Sequence, residues 1–236
     1  MSMELANVNI GLLGCGTVGA SLCKLIDQQS EAIAERTGLT LNVVMVAVRD
    51  VSRSRDVPID PSSFTDDSNL VIESPDVDVV VEVMGGINPS KELILKALEL
   101  GKPVVTANKE LLATHGDELY SSAKQSEVDL LFEAAVAAAI PIIRPLRESL
   151  VGEPITRVMG IVNGTTNFIL TKMTEENMPY ADALDEAQKL GYAESDPTAD
   201  VEGHDAAAKA AIIASLAFGG QVTLGDVHVE GITKIT

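Results

Sequence analysis

A glycine-rich run near the start of the sequence, from Gly11 to Gly19, constrains the fold more than any other feature. The apolar segment 8–13 predicts a strand, which leads into glycines at G-x-G-x-x-G spacing and then into a predicted helix. Gly14 permits a tight turn, Gly16 lets the backbone approach a pyrophosphate, and Gly19 lets the helix pack closely against the strand. The N–H groups at the start of that helix attract an anion. A glycine turn alone can be only a turn, but this strand-and-helix context predicts dinucleotide binding.

The residues after the second predicted strand, Leu41–Val48, bear on the choice of coenzyme. NAD-binding proteins usually place an acidic residue here to hold the ribose 2′-OH, whereas an arginine accommodates a 2′-phosphate. Arg49 follows the strand directly, with Asp50 beside it and Arg53 and Arg55 close behind. This cationic cluster in an acidic chain favours NADP(H) over NAD(H). The alternative is a solvated loop in which Asp50 holds the ribose.

The first half of the chain alternates predicted strands and helices. Helices are predicted over 17–36, over 88–100 and after Lys109, and further strands over 77–83, 103–106 and 128–132. This alternation implies right-handed crossovers and an α/β fold with a doubly wound parallel (Rossmann) sheet. Ligands bind at the carboxyl ends of the strands in such sheets. Four segments are expected on that edge: Gly14–Gly19, Arg49, Gly85–Gly86 and Thr106–Lys109.

The pattern changes after Glu133, and we expect a nucleotide-binding domain over 1–135 and a second, α+β domain over 136–236. In the second part, 155–162 predicts a strand. Helices are predicted over 142–150, from Phe168 onward and over 179–190.

The composition bears on partners and compartment. The chain has 236 residues and a formal net charge of −18, which argues against nucleic acid and anionic membranes as partners. No apolar stretch reaches membrane-spanning length, and the N-terminus lacks the pattern of a signal peptide. The two cysteines, Cys15 and Cys23, are interpreted as reduced packing residues of a cytoplasmic protein.

The segment 187–209 is the second stretch that indicates chemistry. Five acidic residues precede Lys209, and Asp205 shares a helix face with it at i, i+4 spacing. One interpretation is an acidic loop with a surface ion pair that contributes only tenths of a kcal/mol. The other is a lysine tuned for proton transfer, because the pair adjoins a small, apolar and therefore buried helix over 210–218.

This segment resembles the homoserine dehydrogenase signature, with Ala, Gly, Asp-Pro, Asp, Gly, Asp and a final Lys at the family's spacing. Three other stretches are similar to the same family: Gly11–Gly19, Val105–Ala113 and Val162–Asn167. The resemblance covers essentially the whole chain. It implies reversible reduction of L-aspartate 4-semialdehyde to L-homoserine by NAD(P)H, on the route to threonine, methionine and isoleucine.

The resemblance also implies residue roles. Lys209 matches the proton donor to the aldehyde oxygen, and Lys109 matches a lysine at the junction of nicotinamide and substrate, also proposed to take part in proton transfer. Ammonium groups there would stabilise the negative charge that hydride attack builds on the carbonyl oxygen. The alternative for Lys109 is a plain surface lysine at a helix start. The matching substrate-binding residues are Glu194, Asp205 and Asp200, and the matching coenzyme contacts are Thr17, Val18, Arg49, Thr106, Lys109 and Gly191.

The resemblance further implies a monovalent cation, usually Na⁺, bound mainly through backbone oxygens of Glu133, Val136, Ala138 and Ile140. Family members bind substrate and pair through the second domain, so a homodimer is expected. They also return to the nucleotide-binding domain beyond this point, and we expect that return to be missing after Thr236. Two rival functions stay open: another NADP-dependent oxidoreductase of amino-acid metabolism, and a non-catalytic NADP-binding module.

Overall fold

The computed structural model describes residues 5–236 and divides into two compact units. The first unit comprises the chain up to Leu111 and residues 115–135. The second comprises residues 112–114 and 136–236. Each unit is described here by itself.

The first unit alternates strands with helices, as the sequence predicts. Its strands are β1 (Ala6–Leu13), β2 (Leu39–Ala47), β3 (Phe64–Thr65), β4 (Val79–Glu82), β5 (Val104–Thr106) and β6 (Leu130–Leu131). Its helices are α1 (Thr17–Gln28), α2 (Ser30–Thr37), α3 (Ser68–Glu73), α4 (Ser90–Glu99) and α5 (Lys109–Gln125).

The six strands form one parallel sheet in the order β3-β2-β1-β4-β5-β6. The strand order reverses between β1 and β4, which is the switch point of a doubly wound sheet. Apolar side chains of β1, β2 and β4 pack against α1 in a core cluster made of Ile10, Leu12, Cys23, Ile26, Val46, Val48 and Val81. The predicted Rossmann fold is therefore confirmed.

Three details of the first unit differ from the prediction: helix 17–36 is broken, and α3 and β3 were not predicted. The helix predicted over 17–36 is broken at Gln29, whose φ of −108° and ψ of 10° lie outside the helical region, so α1 and α2 are separate. No glycine or proline marks this break in the sequence. Strand β3 was not predicted because two residues are too short to show any periodicity.

The second unit is helical. It contains α6 (Gly164–Glu175), α7 (Tyr180–Lys189), α8 (Thr198–Val201) and α9 (His204–Phe218). A short helical turn at Pro145–Ser149 is closed by an i→i+5 hydrogen bond from the N–H of Leu150 to the carbonyl of Pro145. A core cluster joins α6 and α7 with the chain that follows them: Ile169, Ala183, Ala187, Ala193, Val201 and Ile232.

The strand predicted for this second domain is not formed within residues 5–236. The predicted strand over 155–162 has no regular secondary structure there, and the second unit contains no strand among the described residues. A strand requires a neighbour that accepts and donates ladder hydrogen bonds. The apolar side chains that suggested burial are instead exposed, with Met159 at 82% and Ile161 at 78%.

Helix α6 begins four residues before the predicted start at Phe168. The sequence Asn163-Gly164-Thr165-Thr166-Asn167 suggested a turn, but the Asn163 side chain accepts the N–H of Thr166 and caps the helix.

Across residues 5–236, no helix combines the length and the apolar character needed to cross a membrane.

Candidate active site

The glycine turn lies between β1 and α1, at the carboxyl edge of the sheet. Gly14 has a φ of +97°, which favours glycine, and its N–H donates to the carbonyl of Ala47 at 2.9 Å. A Cβ on Gly19 would lie 2.3 Å from the carbonyl oxygen of Gly14, so α1 can approach the turn only with glycine here. A Cβ on Gly16 would meet no heavy atom within 4 Å. Within this turn, Gly16 therefore has open space around it, whereas Gly19 is required for the packing of α1.

The predicted coenzyme contacts in the first turn of α1 are exposed to solvent. Gly16 is the N-cap of the helix, and no side chain caps it. Thr17 and Val18 follow it and are exposed, Val18 at 56%. A helix start that lacks a side-chain cap offers backbone N–H groups to an anion.

The loop after β2 carries the predicted specificity residues. Arg49 and Arg53 are exposed. The Asp50 carboxylate accepts the hydroxyl of Ser52 at 2.6 Å and its backbone N–H at 2.9 Å. These hydrogen bonds, the hydroxyl first, hold the pKa of Asp50 below its ordinary value. Arg55 donates to the carbonyls of Arg53 at 2.8 Å and Asp50 at 3.0 Å, which fixes the loop from inside.

A buried carboxylate that the sequence analysis did not single out lies at the end of β4. Glu82 is 0% exposed, and its Oε1 accepts the backbone N–H groups of Met84 at 2.8 Å and Gly85 at 3.1 Å. Its Oε2 accepts the hydroxyl of Thr106 at 2.7 Å, because residues 82 and 106 are register partners on β4 and β5. The available signal was a single glutamate inside the apolar run 77–83.

The same network positions the start of α5. The Thr106 hydroxyl accepts the N–H of Asn108 at 3.0 Å. The Asn108 side chain donates to the carbonyl of Gly86 at 2.7 Å and accepts the N–H of Leu111 at 3.1 Å, as the N-cap of α5. Lys109 is the first residue of this helix and is half-buried. Thr106 and Lys109 thus lie on the carboxyl edge, as predicted.

The Asp205–Lys209 pair of α9 belongs to the second unit. The ammonium nitrogen of Lys209 lies 2.6 Å from Asp205 Oδ2, and the two side chains are only 16% and 6% exposed. The same ammonium donates to the carbonyl of Val162 at 2.7 Å. The pair is therefore not the exposed surface ion pair that was the alternative interpretation.

Asn163 joins this pair to a second carboxylate. Its side-chain amide donates to Asp200 Oδ1 at 2.6 Å and to Asp205 Oδ2 at 2.9 Å, and Asn163 is 7% exposed. The structure thus brings together Asp200, Asp205 and Lys209 from the predicted set. Sequence reasoning missed Asn163 because its partners lie 37 and 42 residues away along the chain.

The other predicted residues of the second unit lie on an exposed loop after α7. Gly191 has a φ of +79°, and Glu194 is exposed. The backbone carbonyl of Glu194 accepts the side-chain amide of Gln188 at 3.0 Å. The side chains of Asn163 and Lys209 donate to Asp200, Asp205 and the carbonyl of Val162 rather than to Glu194.

The predicted cation residues fall on both sides of the division between units. Glu133 is half-buried in the helical turn Glu133–Ala135, whereas Val136, Ala138 and Ile140 belong to the second unit. Ala137 and Ala138 have φ values of 60° and 50°, an unusual left-handed pair for residues with a Cβ. Among residues 5–236, no group of three or more His, Cys, Asp or Glu side chains is suited to hold a metal ion.

A parallel sheet of this order, with a glycine turn on its carboxyl edge, defines the first unit as a Rossmann-type dinucleotide-binding domain. Residues 14–133 match the family model for the NAD binding domain of homoserine dehydrogenase, and residues 141–236 match the homoserine dehydrogenase model. The chain therefore belongs to the homoserine dehydrogenase family, whose members are oxidoreductases. This confirms the family resemblance found in the sequence.

Known relatives are similar over nearly the whole chain. The homoserine dehydrogenase of Corynebacterium glutamicum is 55% identical over 229 residues, which are 97% of this chain and 51% of that protein. A crystal structure of a homoserine dehydrogenase from Thiobacillus denitrificans has a TM-score of 0.90 at 41% identity, covering 99% of this chain and 54% of that one. A hyperthermophilic archaeal homoserine dehydrogenase in complex with NADPH has a TM-score of 0.81 at 32% identity, covering 98% and 75%. The chain spans about half the length of the curated relatives it matches.

Proposed function

We propose that the protein of this chain catalyses the reversible reduction of L-aspartate 4-semialdehyde to L-homoserine, on the route to threonine, methionine and isoleucine. Membership of the family supports the reaction class. One observation carries the assignment of this chemistry to the chain: the ammonium of the half-buried Lys209 is held by Asp205 and by the carbonyl of Val162.

Lys209 is proposed as the proton donor in the direction of reduction. When bound, the nicotinamide coenzyme supplies the hydride that adds to the aldehyde carbon. The developing negative charge on the aldehyde oxygen requires a nearby cation and a proton. Lys209 supplies both, and Asp205 keeps the ammonium oriented through the 2.6 Å contact. Lys109, the first residue of α5, is proposed as the second lysine beside the reacting atoms.

The carboxylates of the second unit are proposed to bind the substrate. The substrate carries an ammonium group, which a carboxylate binds by a charge-assisted hydrogen bond. Asp200 and Asp205 are held close together by Asn163, and Glu194 stands on the exposed loop after α7. We assign these three residues to substrate binding and Gly191 to a coenzyme contact.

NADP(H) is proposed as the preferred coenzyme, bound at Gly14, Gly16, Thr17, Val18, Gly19, Arg49, Thr106 and Lys109. Two observations support the preference: Arg49 is exposed after β2, and one oxygen of the Asp50 carboxylate, Oδ1, already accepts both hydrogen bonds from Ser52. The related archaeal enzyme was solved with NADPH. Dissociation constants measured by fluorescence titration should favour NADPH over NADH, and Arg49→Glu should reduce that ratio. A tighter complex with NADH would contradict the proposal.

The decisive test is Lys209→Ala. We expect the rate of homoserine oxidation to fall by about 100-fold or more, because a positioned proton donor contributes on that order. Coenzyme binding, measured by fluorescence, should stay within about twofold. The matched control is Lys189→Ala, which removes another i, i+4 aspartate–lysine pair, to Asp185, with side chains 72% and 60% exposed.

The control should keep the wild-type rate. Wild-type turnover by Lys209→Ala would show that the assigned proton donor is wrong. A wild-type protein that binds coenzyme but oxidises no homoserine would favour the non-catalytic binding module instead.

A monovalent cation, Na⁺, is proposed at the oxygens of Glu133, Val136, Ala138 and Ile140. Carbonyl and carboxylate oxygens are the donor set that hard cations prefer. Raising NaCl at constant ionic strength, with KCl or LiCl as the balancing salt, should raise the melting temperature, and Glu133→Gln, which removes one negative charge but no backbone oxygen, should reduce the difference. Equal melting temperatures in the three salts would contradict the site.

We also propose that the protein is a cytoplasmic homodimer. Both cysteines are free thiols in the structure, as expected in a reducing compartment. Exposed apolar side chains of the second unit, including Met159 and Ile161, support self-association.

A further inference from the structure

We propose that Asn163 is a positioning residue for the dehydrogenase reaction: its side-chain amide holds Asp200 and Asp205 together and thereby sets the place of Lys209. This inference rests on the proposed function. It concerns a residue that contacts the proposed catalytic pair without being a proton donor or a charged ligand itself.

The first argument is the hydrogen-bonding capacity of the amide. The NH₂ group of Asn163 has two donors, and each is given to a different carboxylate, at 2.6 Å to Asp200 and 2.9 Å to Asp205. Two nearby carboxylates repel each other, and a donor shared between them offsets that repulsion. Asp200 is in α8 and Asp205 in α9, so the amide also ties together two helices.

The second argument is the orientation of the amide. Its Oδ1 accepts the backbone N–H of Thr166 at 2.8 Å and the Thr166 hydroxyl at 3.0 Å. A backbone N–H can only donate, so Oδ1 must face α6 and the NH₂ group must face the carboxylates. The N-cap of α6 therefore fixes which way the donors point.

The third argument is the shared oxygen. Asp205 Oδ2 accepts both from Asn163 and from the ammonium of Lys209, at 2.9 Å and 2.6 Å. The same ammonium donates to the carbonyl of Val162, the residue directly before Asn163. Residues 162 and 163 thus contact Lys209 itself and the carboxylate that orients it. Loss of the Asn163 donors should displace both Asp205 and Lys209.

Two substitutions separate this positioning role from the capping of α6. Asn163→Ser keeps an oxygen that can cap the helix but removes the two amide N–H donors, and its single hydroxyl donor cannot serve both carboxylates. Asn163→Asp keeps the cap and nearly the same shape, but it places a third carboxylate against Asp200 and Asp205. Asn163→Ala removes the cap as well. We expect helix capping to survive in the first two variants and the clamp on Asp205 to be lost in all three.

The experiment measures kcat and KM for homoserine, the dissociation constant for NADPH, and the urea midpoint of each variant in the full protein. At temperatures where all variants are folded, kcat/KM should fall at least tenfold for Asn163→Ser and further for Asn163→Asp, with NADPH binding within about twofold. Wild-type kcat/KM in Asn163→Ser and Asn163→Asp would overturn the proposal. So would a loss seen only in Asn163→Ala, since that would indicate capping alone.

A readout independent of turnover distinguishes this inference from the proposed function. Competitive acetylation with acetic anhydride, followed by peptide mass spectrometry, reports how well Lys209 is held. Acetylation of Lys209 should be at least threefold faster in Asn163→Ser than in the wild type, while exposed Lys189 serves as internal reference. Unchanged acetylation would overturn the positioning role. If wild-type protein oxidised no homoserine, the proposed function would fail, and acetylation alone would decide the role of Asn163.

Discussion

At the scale of single residues, Gly16 and Gly19 belong to the same turn but have different surroundings. A side chain on Gly19 would collide with a backbone carbonyl, which cannot move aside as a flexible side chain can. A side chain on Gly16 would enter open space, at a φ of −82° that any residue tolerates. One glycine is therefore required by the fold, and the other is available to a ligand.

This difference predicts opposite phenotypes. Gly19→Ala should lower the free energy of unfolding by about 1–3 kcal/mol, as expected for overpacking, and should weaken coenzyme binding as α1 shifts. Gly16→Ala should keep wild-type stability but lose affinity for NADPH, because a methyl group would occupy the pyrophosphate position. Urea denaturation and fluorescence titration measure the two effects. Wild-type affinity in a stable Gly16→Ala variant would show that the pyrophosphate binds elsewhere.

The two thiols near this turn should be unreactive. Burial raises the pKa of Cys15 and raises that of Cys23 to about 11. The thiolate is the nucleophile, so at pH 8 the thiolate fraction of Cys23 should be about a hundredfold smaller than that of an ordinary thiol with a pKa of 9.0. Alkylation of Cys23 by iodoacetamide should be slow at pH 8 and should accelerate as the pH approaches the pKa of about 11. Rapid alkylation of Cys23 at pH 7 would contradict this.

Residue spacing predicted some contacts and could not predict others. The Asp205–Lys209 contact follows from i, i+4 spacing on one helix, which a sequence contains directly. The contacts of Glu82 with Thr106 and of Asn163 with Asp205 join residues 24 and 42 positions apart. They depend on strand register and on the packing of helices, which no local pattern encodes.

At the scale of elements, the Glu82 network links β4, β5 and α5. Three donors converge on one buried carboxylate: two backbone N–H groups of the turn after β4 and the hydroxyl at the end of β5. The turn that carries Gly85 and the strand end that carries Thr106 are thus held in one arrangement. Both lie on the edge where the coenzyme is expected.

Removal of this carboxylate should be costly. Glu82→Ala leaves two backbone N–H groups and the buried Thr106 hydroxyl without their acceptor, so we expect a loss of about 3 kcal/mol in the free energy of unfolding. Glu82→Gln should cost less, because Oε1 can still accept the two backbone N–H groups. Glu99→Ala, an exposed glutamate at the end of α4, should stay within about 0.5 kcal/mol of wild type. Urea denaturation measures all three, and equal stability of Glu82→Ala and Glu99→Ala would contradict the network's role.

The elements that sequence predicted best are the ones with continuous apolar runs, such as β1 and β2. Segment 155–162 has the same apolar content but forms no strand, because content does not supply a hydrogen-bonding neighbour. The start of α6 was predicted too late because Gly164 suggested a turn, while the cap from Asn163 stabilises a helix there. The apolar pattern of the sequence thus predicted the type of most elements. It did not predict which strands have a partner or where a side chain caps a helix.

At the scale of the whole molecule, the largely exposed segment 155–162 bears on assembly. Met159 and Ile161 are the kind of side chains that a second copy would cover, and the backbone around them has no strand partner within residues 5–236. The proposed homodimer would cover both.

The test introduces charge into that segment. Met159→Glu combined with Ile161→Glu should convert the dimer to a monomer, because two carboxylates per subunit would have to be buried. Light scattering after gel filtration gives the mass directly. The control is Leu70→Glu, at an apolar residue of α3 in the first unit that is 54% exposed, and it should leave the dimer intact. A wild-type protein with the mass of one chain would contradict the proposal.

The loop after β2 bears on how readily the coenzyme preference of this protein could change. Asp50 is the kind of acid that an NAD-specific protein uses for the ribose, but its Oδ1 accepts the hydroxyl and the backbone N–H of Ser52. A shift from the proposed NADP(H) preference toward NAD(H) would therefore need no new acidic residue. It would need Asp50 to exchange its hydrogen bonds from Ser52 for those of the ribose. If the proposed preference holds, position 52 is, beside Arg49, a place where variation between NADP- and NAD-preferring relatives should be sought.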